Sequence, residues 1–511
     1  FTNSILWNNA AAGVTTTASA SAANASAAPT FSHCLVANSG GSSAWNTALG
    51  TDGGNNIDAD PLFVLEVDPL AAPTTGGDLR LLFGSPAVDV GNDAANATTT
   101  DLAGNTRKIG TIDLGAYEQQ GVLYVDDTAG GANNGTSWTD AHNDLQDALG
   151  VASAGDQIWV AAGTFYPDEG GGQTDNNRSA TVTLIEGVKI YGGFPNDGSA
   201  TQLSDRDPAT HPTILSGDLL QDDGPDFANN ADNAYHVLSA GSGITAATLL
   251  DGFTITAGNA NGSSPNNVGG GLYCDSASPS LNNCSFLGNS ARFGGGIFNG
   301  FSSPTLNNCS FQGNSAGFQG GGIFNDNSSS PSRTNCSFQG NSATSFGGGI
   351  LNVFSSPTLT NCSFQGNSAG VEGGGIFNNN NSSPTFTNCI LWNNAQGGAT
   401  TVTGASVVNN NSTPTYSHCL VQNIDLTGTG TGNLDGTNPA NNPLFVLEVD
   451  PLTAPTTGGD LRLLSGSPAL DVGDDTANAT TNDLAGNPRF LGTIDLGAFE
   501  QQGVLYVDDT A

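Results

Sequence analysis

Chemistry in this chain would fall to carboxylates, a few cations and thiols, because its 511 residues hold 46 Asp and Glu against 10 Lys and Arg, with five His and eight Cys. Paired carboxylates can act as general acid and base, three or more can hold calcium, and a nearby Lys or Arg can stabilise a developing carbanion. The run Asp222, Asp223 and Asp226 stands beside no base and reads as a solvated loop ahead of a metal site. Lys108 and Lys189 are the only lysines, and the most regular stretch carries just Arg292 and Arg333, in contexts that do not repeat each other. His33 and His418 are one position in two copies of a repeat, each preceding a cysteine, and are expected in a turn or at the surface. Pro468, Asp471, Asp483, Arg489, Asp495 and Glu500 repeat Pro86, Asp89, Asp101, Arg107, Asp113 and Glu118. For this set, turn formation and salt bridging come first and a weak calcium site second. These readings assign no catalytic residue, no cofactor-binding residue and no metal ligand.

The formal charge, 10 − 46 = −36, repels nucleic acid and anionic lipid, so neither is an expected partner. No run of 18 apolar residues is present, and no membrane insertion is expected within the chain. Glycine is 71 of 511 residues, about twice the usual ~7%, and charged residues are 11% against a usual ~25%. Such a chain depends on tight turns and on packed polar backbone.

The elements that position these residues come in repeats. Phe1-Thr2-Asn3-Ser4-Ile5-Leu6-Trp7-Asn8-Asn9 matches the nine residues from Phe386, an offset of 386 − 1 = 385. PLFVLEVDPL at Pro61 and Pro443, GTIDLGA at Gly110 and Gly492, and GVLYVDDTA at Gly121 and Gly503 share an offset of 382. The chain therefore reads as the C-terminal part of one unit (1–120), a complete unit (121–502) and the start of a third (503–511), a window on a longer tandem array. No Pro- or Ser-rich spacer separates the units, and end-to-end stacking is expected.

Inside the complete unit, GGGLYC at Gly269 is followed by GGGIFN-like motifs at Gly294, Gly320, Gly347 and Gly373, in steps of 25, 26, 27 and 26 residues. Each period runs S-P-T-L-T-N-C-S-F-Q-G-N-S-A, a variable piece, then G-G-G-I-F-N. Periods near 26 without helical i, i+3, i+4 spacing hold about three strands, one coil of a right-handed parallel β-helix. The predicted class is all-β, a solenoid with regular coils over about 265–420 and one short capping helix per unit, here about 138–152, with an S-x-x-D cap at Ser137.

In such a coil each residue stacks on its equivalent one layer away, so like residues form columns. Cys284, Cys309, Cys336, Cys362, Cys389 and Cys419 form one, and Phe286, Phe311, Phe338 and Phe364, two residues on, share its inward face. Asn289, Asn314, Asn341 and Asn367 form an expected amide ladder, internal or turn-lining. Ile297, Ile323, Ile350 and Ile376 form a fourth column. In an uninterrupted strand the aromatic or leucine after each isoleucine would face the other way, and both could not then be buried. Either the strand bends there, or Phe298, Phe324, Leu351 and Phe377 make an exposed stripe. Same-column thiols lie ~4.8 Å apart, beyond disulfide reach, so most cysteines are expected free, with Cys274 left open. Ser4 holds the place of Cys389 in the other copy.

GGGIFN together with F-x-x-N (Phe286-Asn289, Phe311-Asn314, Phe338-Asn341, Phe364-Asn367) resembles the GGAI and FxxN repeats of the polymorphic outer membrane proteins. The unit as a whole resembles the pectin-lyase-like superfamily of bacterial surface β-helices, and DLAGNPRFLGTIDLGAFE is similar to the segment closing many large secreted bacterial repeat proteins. The likeness does not extend to a β-barrel translocator. It implies a secreted or cell-surface protein with adhesion or scaffold roles. The functional expectation is a structural extracellular rod or filament whose partners are copies of itself. An adhesin or glycan-binding scaffold, touching glycans or cell surfaces through the inserts 170–178, 197–212 and 221–233, is the alternative. A polysaccharide lyase or hydrolase ranks behind both.

Overall fold

The computed structural model describes residues 1–502 apart from 12–13, 16–19, 21, 25–26, 73–75, 82–84, 105–106, 109–110, 120 and 153. The expected start of a third unit at 503–511 lies outside the described residues. The chain divides into two compact units, one of Phe1–Gly121 with a short return at 153–156, the other of the remainder.

In the second unit the coils stack into three long parallel sheets, and each regular coil contributes one strand to each. The first has ten strands, from Val122–Val125 to Thr415–Ser417, the second nine, from Gly163–Phe165 to Leu420–Val421, and the third eight, from Val182–Thr183 to Val407–Asn410. A fourth ladder of six short strands, the N-S-A step, turns the chain from the second sheet toward the third. Registers join like with like: Phe311 pairs with Phe338, Ile323 with Ile350, and Asn325 with Asn352. This is the right-handed parallel β-helix expected from the 26-residue period.

Short polar residues make the corners. Asn283, Asn308, Asn335, Asn361 and Asn388, each just before a column cysteine, adopt φ of +49° to +53°, and His418 takes the same place at +49°. Asn enters this left-handed region more readily than most residues because its side chain bonds locally. Here the amides also bond from coil to coil, Asn361 Nδ2 donating to Asn335 Oδ1 at 3.0 Å. The next corner falls on Gly288, Gly313, Gly340 and Gly366 at φ of +58° to +69°. In the G-G-G step, a Cβ on Gly295 would come within 2.4 Å of the Ser315 carbonyl oxygen, so glycine permits the coils to approach.

The lumen is filled by the columns. Phe286, Phe311, Phe338 and Phe364 are fully buried, and their rings stack nearly parallel at centroid spacings of 4.9, 4.7 and 4.4 Å. Ile297, Ile323, Ile350 and Ile376 line the same core, as do all six column cysteines. Every one of the eight cysteines is buried and free, Cys274 included. Each column thiol points at the carbonyl two residues back, as Cys309 does toward Asn307 at 3.4 Å. Burial pushes the Cys274 thiol up to about 12.

Buried asparagines complete the interior by bonding to one another from coil to coil, with Asn299 Oδ1 at the end of its ladder left without a partner. Asn341 Oδ1 accepts from the Asn314 backbone N–H at 3.0 Å and from Asn314 Nδ2 at 2.9 Å, while Asn341 Nδ2 donates to Asn367 Oδ1 at 2.8 Å and to the Phe311 carbonyl at 2.9 Å. The ladder runs from Asn289 through Asn314, Asn341 and Asn367 to Asn394. A second one, the final residue of G-G-G-I-F-N, runs Asn299, Asn325, Asn352, Asn378, Asn409 at 2.7 to 2.9 Å.

Neither reading of the I-F step holds. The strand Ile297–Gly300 continues without a bend, yet Phe324, Leu351 and Phe377 are only 7%, 1% and 4% exposed and Phe298 is half-buried. Phe293 and Phe346, from the variable piece before G-G-G, fold over the outside of the third sheet and pack on them. The outward column thus has its own small core.

The helix is shorter than expected, Leu145–Val151. Ser137 and Asp140 do bond, Oγ accepting from the Asp140 N–H at 3.1 Å, but no helix follows. Trp138 is drawn instead against Tyr124 and Phe194, and the His142 backbone pairs with Tyr124 and Asp126 at 2.8 Å. Once those backbone groups are committed to the first strand, helix can begin only beyond them. Leu145, Ala148 and Leu149 then cover the end of the core.

After Leu420–Val421 the chain leaves the helical path and lies along the outside of the second sheet as a strap. Its hairpin, Phe445–Leu447 with Asp460–Leu463, packs Phe445, Leu461 and Leu463 on Ile390, Trp392 and Leu420. Gln365 exchanges two hydrogen bonds with Val449, at 2.8 and 2.9 Å, and the corner residues Asn335, Asn361 and Asn388 donate to Asn482, Asn478 and Asp474. The first unit, taken by itself, has the same arrangement in little. Thr2–Leu6 pairs in parallel with Thr30–Val36, Ser4 beside Cys34, and Asn3 exchanges bonds with Asn92 as Asn388 does with Asp474.

Asn341→Ala would remove four buried hydrogen bonds, so a loss of about 3 kcal/mol or more is expected, read as a lowered denaturation midpoint with an unchanged slope. Thiol titration of the native protein should find none of the eight cysteines reactive within minutes and all of them after unfolding. Fewer than eight on unfolding without reductant would reveal a disulfide.

Candidate functional site

The carboxylates that repeat between copies converge on one arginine. In the second unit Arg489 is fully buried, and its Nη2 donates to the carbonyls of Asp495 and Gly497 at 2.9 and 2.7 Å. Glu500 Oε2 lies 3.8 Å from Arg489 Nε and accepts from the Asp495 N–H at 3.0 Å. Asp483 accepts the Glu500 N–H at 2.9 Å, and Asp495 accepts those of Asp471 and Gln501 at 2.8 and 2.7 Å. The first unit builds the same cluster: Arg107 meets Glu118 at 3.2 Å and the carbonyls of Asp113 and Gly115, and Asp113 accepts from Asp89 at 2.8 Å. Burial pushes the Glu500 carboxyl up to about 7 and Asp113 to about 6. These acids hold backbone N–H groups, and the cation at their centre is the guanidinium. The cluster closes the end of the unit, and Asp471, Asp495 and Glu500 also line a cleft of about 400 Å³ beside Leu491.

The loop acids divide. Asp218, Asp222 and Asp223 bring oxygens within 4.8 Å of one another, the one such group of three among the described residues, and Asp226 does not join it. Asp218 accepts the backbone N–H groups of Asp222 and Asp223 at 3.1 and 3.2 Å, and Asp223 Oδ2 accepts from Asn233 at 2.7 Å, while Asp223 Oδ1 is buried without a hydrogen-bond partner. Near the capping helix, Asp127, Asp144 and Glu169 are all raised by burial and then by neighbouring acids. That grouping joins residues distant in sequence and had no motif to mark it. His33 and His418 sit at their corners beside Ser32 and Ser417, bonded at 2.9 and 3.0 Å.

A cleft of about 380 Å³ opens between the second sheet and the strap. Hydroxyls and amides line it, among them Ser310, Gln312, Ser337 and Gln339, with Asp460 at its edge already held by Arg462. It can present hydrogen-bonding groups to a polar ligand.

Arg333 is the residue whose environment sequence reasoning missed. It replaces leucine in the column Leu306, Arg333, Leu359, inside the lumen and 1% exposed. Burial lowers it to about 10, against the upward pull of the Cys336 and Cys362 thiols. The signal was present, since S-P-S-R-T-N-C stands where the period reads S-P-T-L-T-N-C.

No curated protein matches the chain in sequence. Among solved structures it is similar to the pectate lyase Pel9A, at 15% identity and a TM-score of 0.41 over 75% of this chain and 97% of that one. It is also similar to the pectin methylesterase PemA from Erwinia chrysanthemi, at 10% identity and 0.33 over 66% and 98%, and to a rhamnogalacturonan lyase, at 12% and 0.24 over 64% and 90%. Residues 252–413, which carry the parallel ladders and the buried columns, match the family model for a right handed beta helix region.

Proposed function

We propose that this chain is part of an extracellular structural rod, built by end-to-end stacking of tandem β-helical units. The observation that carries this reading is the closing cluster. Two copies of the unit end, differing at scattered positions, fold separately into the same arginine-centred knot, and each straps onto its own coil through Asn3 or Asn388. A chain that spends its repeated charges on holding turns is organised around repetition of a shape. Strands whose edges run out at a coil end can pair with a further coil, and a contact of one end with the other does not close on itself, so it propagates. The acidic surface keeps such an assembly soluble.

The cleft beside the strap favours a second reading, a scaffold that binds neutral glycans through its hydroxyls and amides. The net charge of −36 disfavours acidic ones.

Ten strands in the first sheet give nine intervals of ~4.8 Å, roughly 43 Å of axis per unit. A protein carrying two copies of 121–502 should therefore roughly double in length at constant cross-section by small-angle scattering and electron microscopy. Compact particles, or units swinging on free joints, would sink the rod. Cleavage of pectic substrates by the same preparation would favour an enzyme, and retention on a neutral glycan array the binding scaffold. Arg489→Met leaves buried carboxylates without their cation and should cost about 3–5 kcal/mol, seen first as protease cutting within 443–502.

A further inference from the structure

Arg333 lies in the lumen with an incomplete set of partners. Its Nη2 donates to Asn325 Oδ1 at 3.1 Å, while Nε and Nη1 have no hydrogen-bond partner. Among the described residues no carboxylate lies within ion-pair distance of it. A guanidinium stays charged in proteins, and a buried charge calls for a counter-charge. The ionisable groups that act on it electrostatically are Cys336, in its own coil, and Cys362, one coil on, whose Sγ lies 3.9 Å from the Arg333 carbonyl. Both are fully buried, and the strands that follow them pair in register, Ser337 with Ser363.

We propose that Cys336 and Cys362 form a two-coordinate thiolate site for a soft monovalent cation, Cu(I) or Ag(I), with Arg333 as its fixed counter-charge. Thiolates select soft ions of this class. In-register side chains stand ~4.8 Å apart, too far for a disulfide. A metal–sulfur distance of about 2.3 Å on each side of a linear ion spans roughly that gap. Parallel side chains in one column offer two ligands, not the four of a tetrahedral zinc site. Charges balance: two thiolates and one monovalent ion sum to −1, which the guanidinium neutralises. Two S–H bonds break, two metal–sulfur bonds form, two protons leave to solvent, and nothing is oxidised. Cys284 with Cys309, and Cys389 with Cys419, have the same spacing without an arginine, and they serve as internal controls.

The test uses the full chain, anaerobically, with Cu(I) supplied as its coloured bicinchoninate complex, both to the native protein and during refolding. The expected result is one Cu(I) withdrawn per chain with release of two protons. C336S or C362S should abolish uptake, and C309S, the same substitution in the same column, should leave both the fold and the uptake unchanged. Arg333→Leu matches the column residues Leu306 and Leu359, so it should keep the native circular dichroism yet bind at least tenfold more weakly. Undiminished uptake by Arg333→Leu, several ions per chain, or no uptake by either route would overturn the proposal.

Discussion

Every feature of the second unit depends on one constraint: a parallel strand hydrogen-bonds to its own equivalent one coil away, at a spacing of ~4.8 Å. Whatever side chain a position carries must tolerate a copy of itself at that distance. Phenylalanine does so by stacking flat, isoleucine by nesting its branches, and cysteine as a small apolar group pointing at a carbonyl. Asparagine is the polar side chain that does it best, since its amide is donor and acceptor at once and links to its neighbours above and below. A charged column would fail, and Arg333 shows the strain of even one charge, with two donors unmet.

The same constraint decides where polar chemistry is allowed. Inside, Arg333 apart, the polar groups of the regular coils are self-pairing amides, hydroxyls and thiols. Charges are displaced to the ends, the loops and the strap, where the carboxylates of the closing cluster accept backbone N–H groups that no neighbouring coil supplies. The strap belongs to this logic as well. Gln and the corner Asn on the outer face of the second sheet donate to carbonyls of the strap, Ser363 Oγ accepts the strap's Ala498 N–H, and the hairpin covers the outward Ile390, Trp392 and Leu420.

Much of this could be read from residues alone. The 26-residue period gave the coil, and the cysteine, phenylalanine, isoleucine and asparagine positions gave the columns, because a column is a sequence pattern repeated at the coil length. The positive φ of the corners was foreshadowed by Asn or His before each cysteine. The third sheet was harder. Alternation left Ile297 and Phe298 either on opposite faces or separated by a bend, and which surface covers the outward residue depended on Phe293 and Phe346, residues in the stretch whose length varies from coil to coil.

By itself, then, the sequence determined what repeats: strand direction, register, the inward columns and the free thiols, all consequences of identical residues meeting at a fixed rise. Tertiary structure decided what does not repeat. The start of the helix at Leu145 followed from Trp138 and His142 being claimed by the first strand. The return of residues after 443 along the second sheet, and the meeting of Asp127, Asp144 and Glu169, join segments far apart in the chain. Local spacing carries no record of such contacts, because their free energy arises only once a formed solenoid offers a surface to dock on.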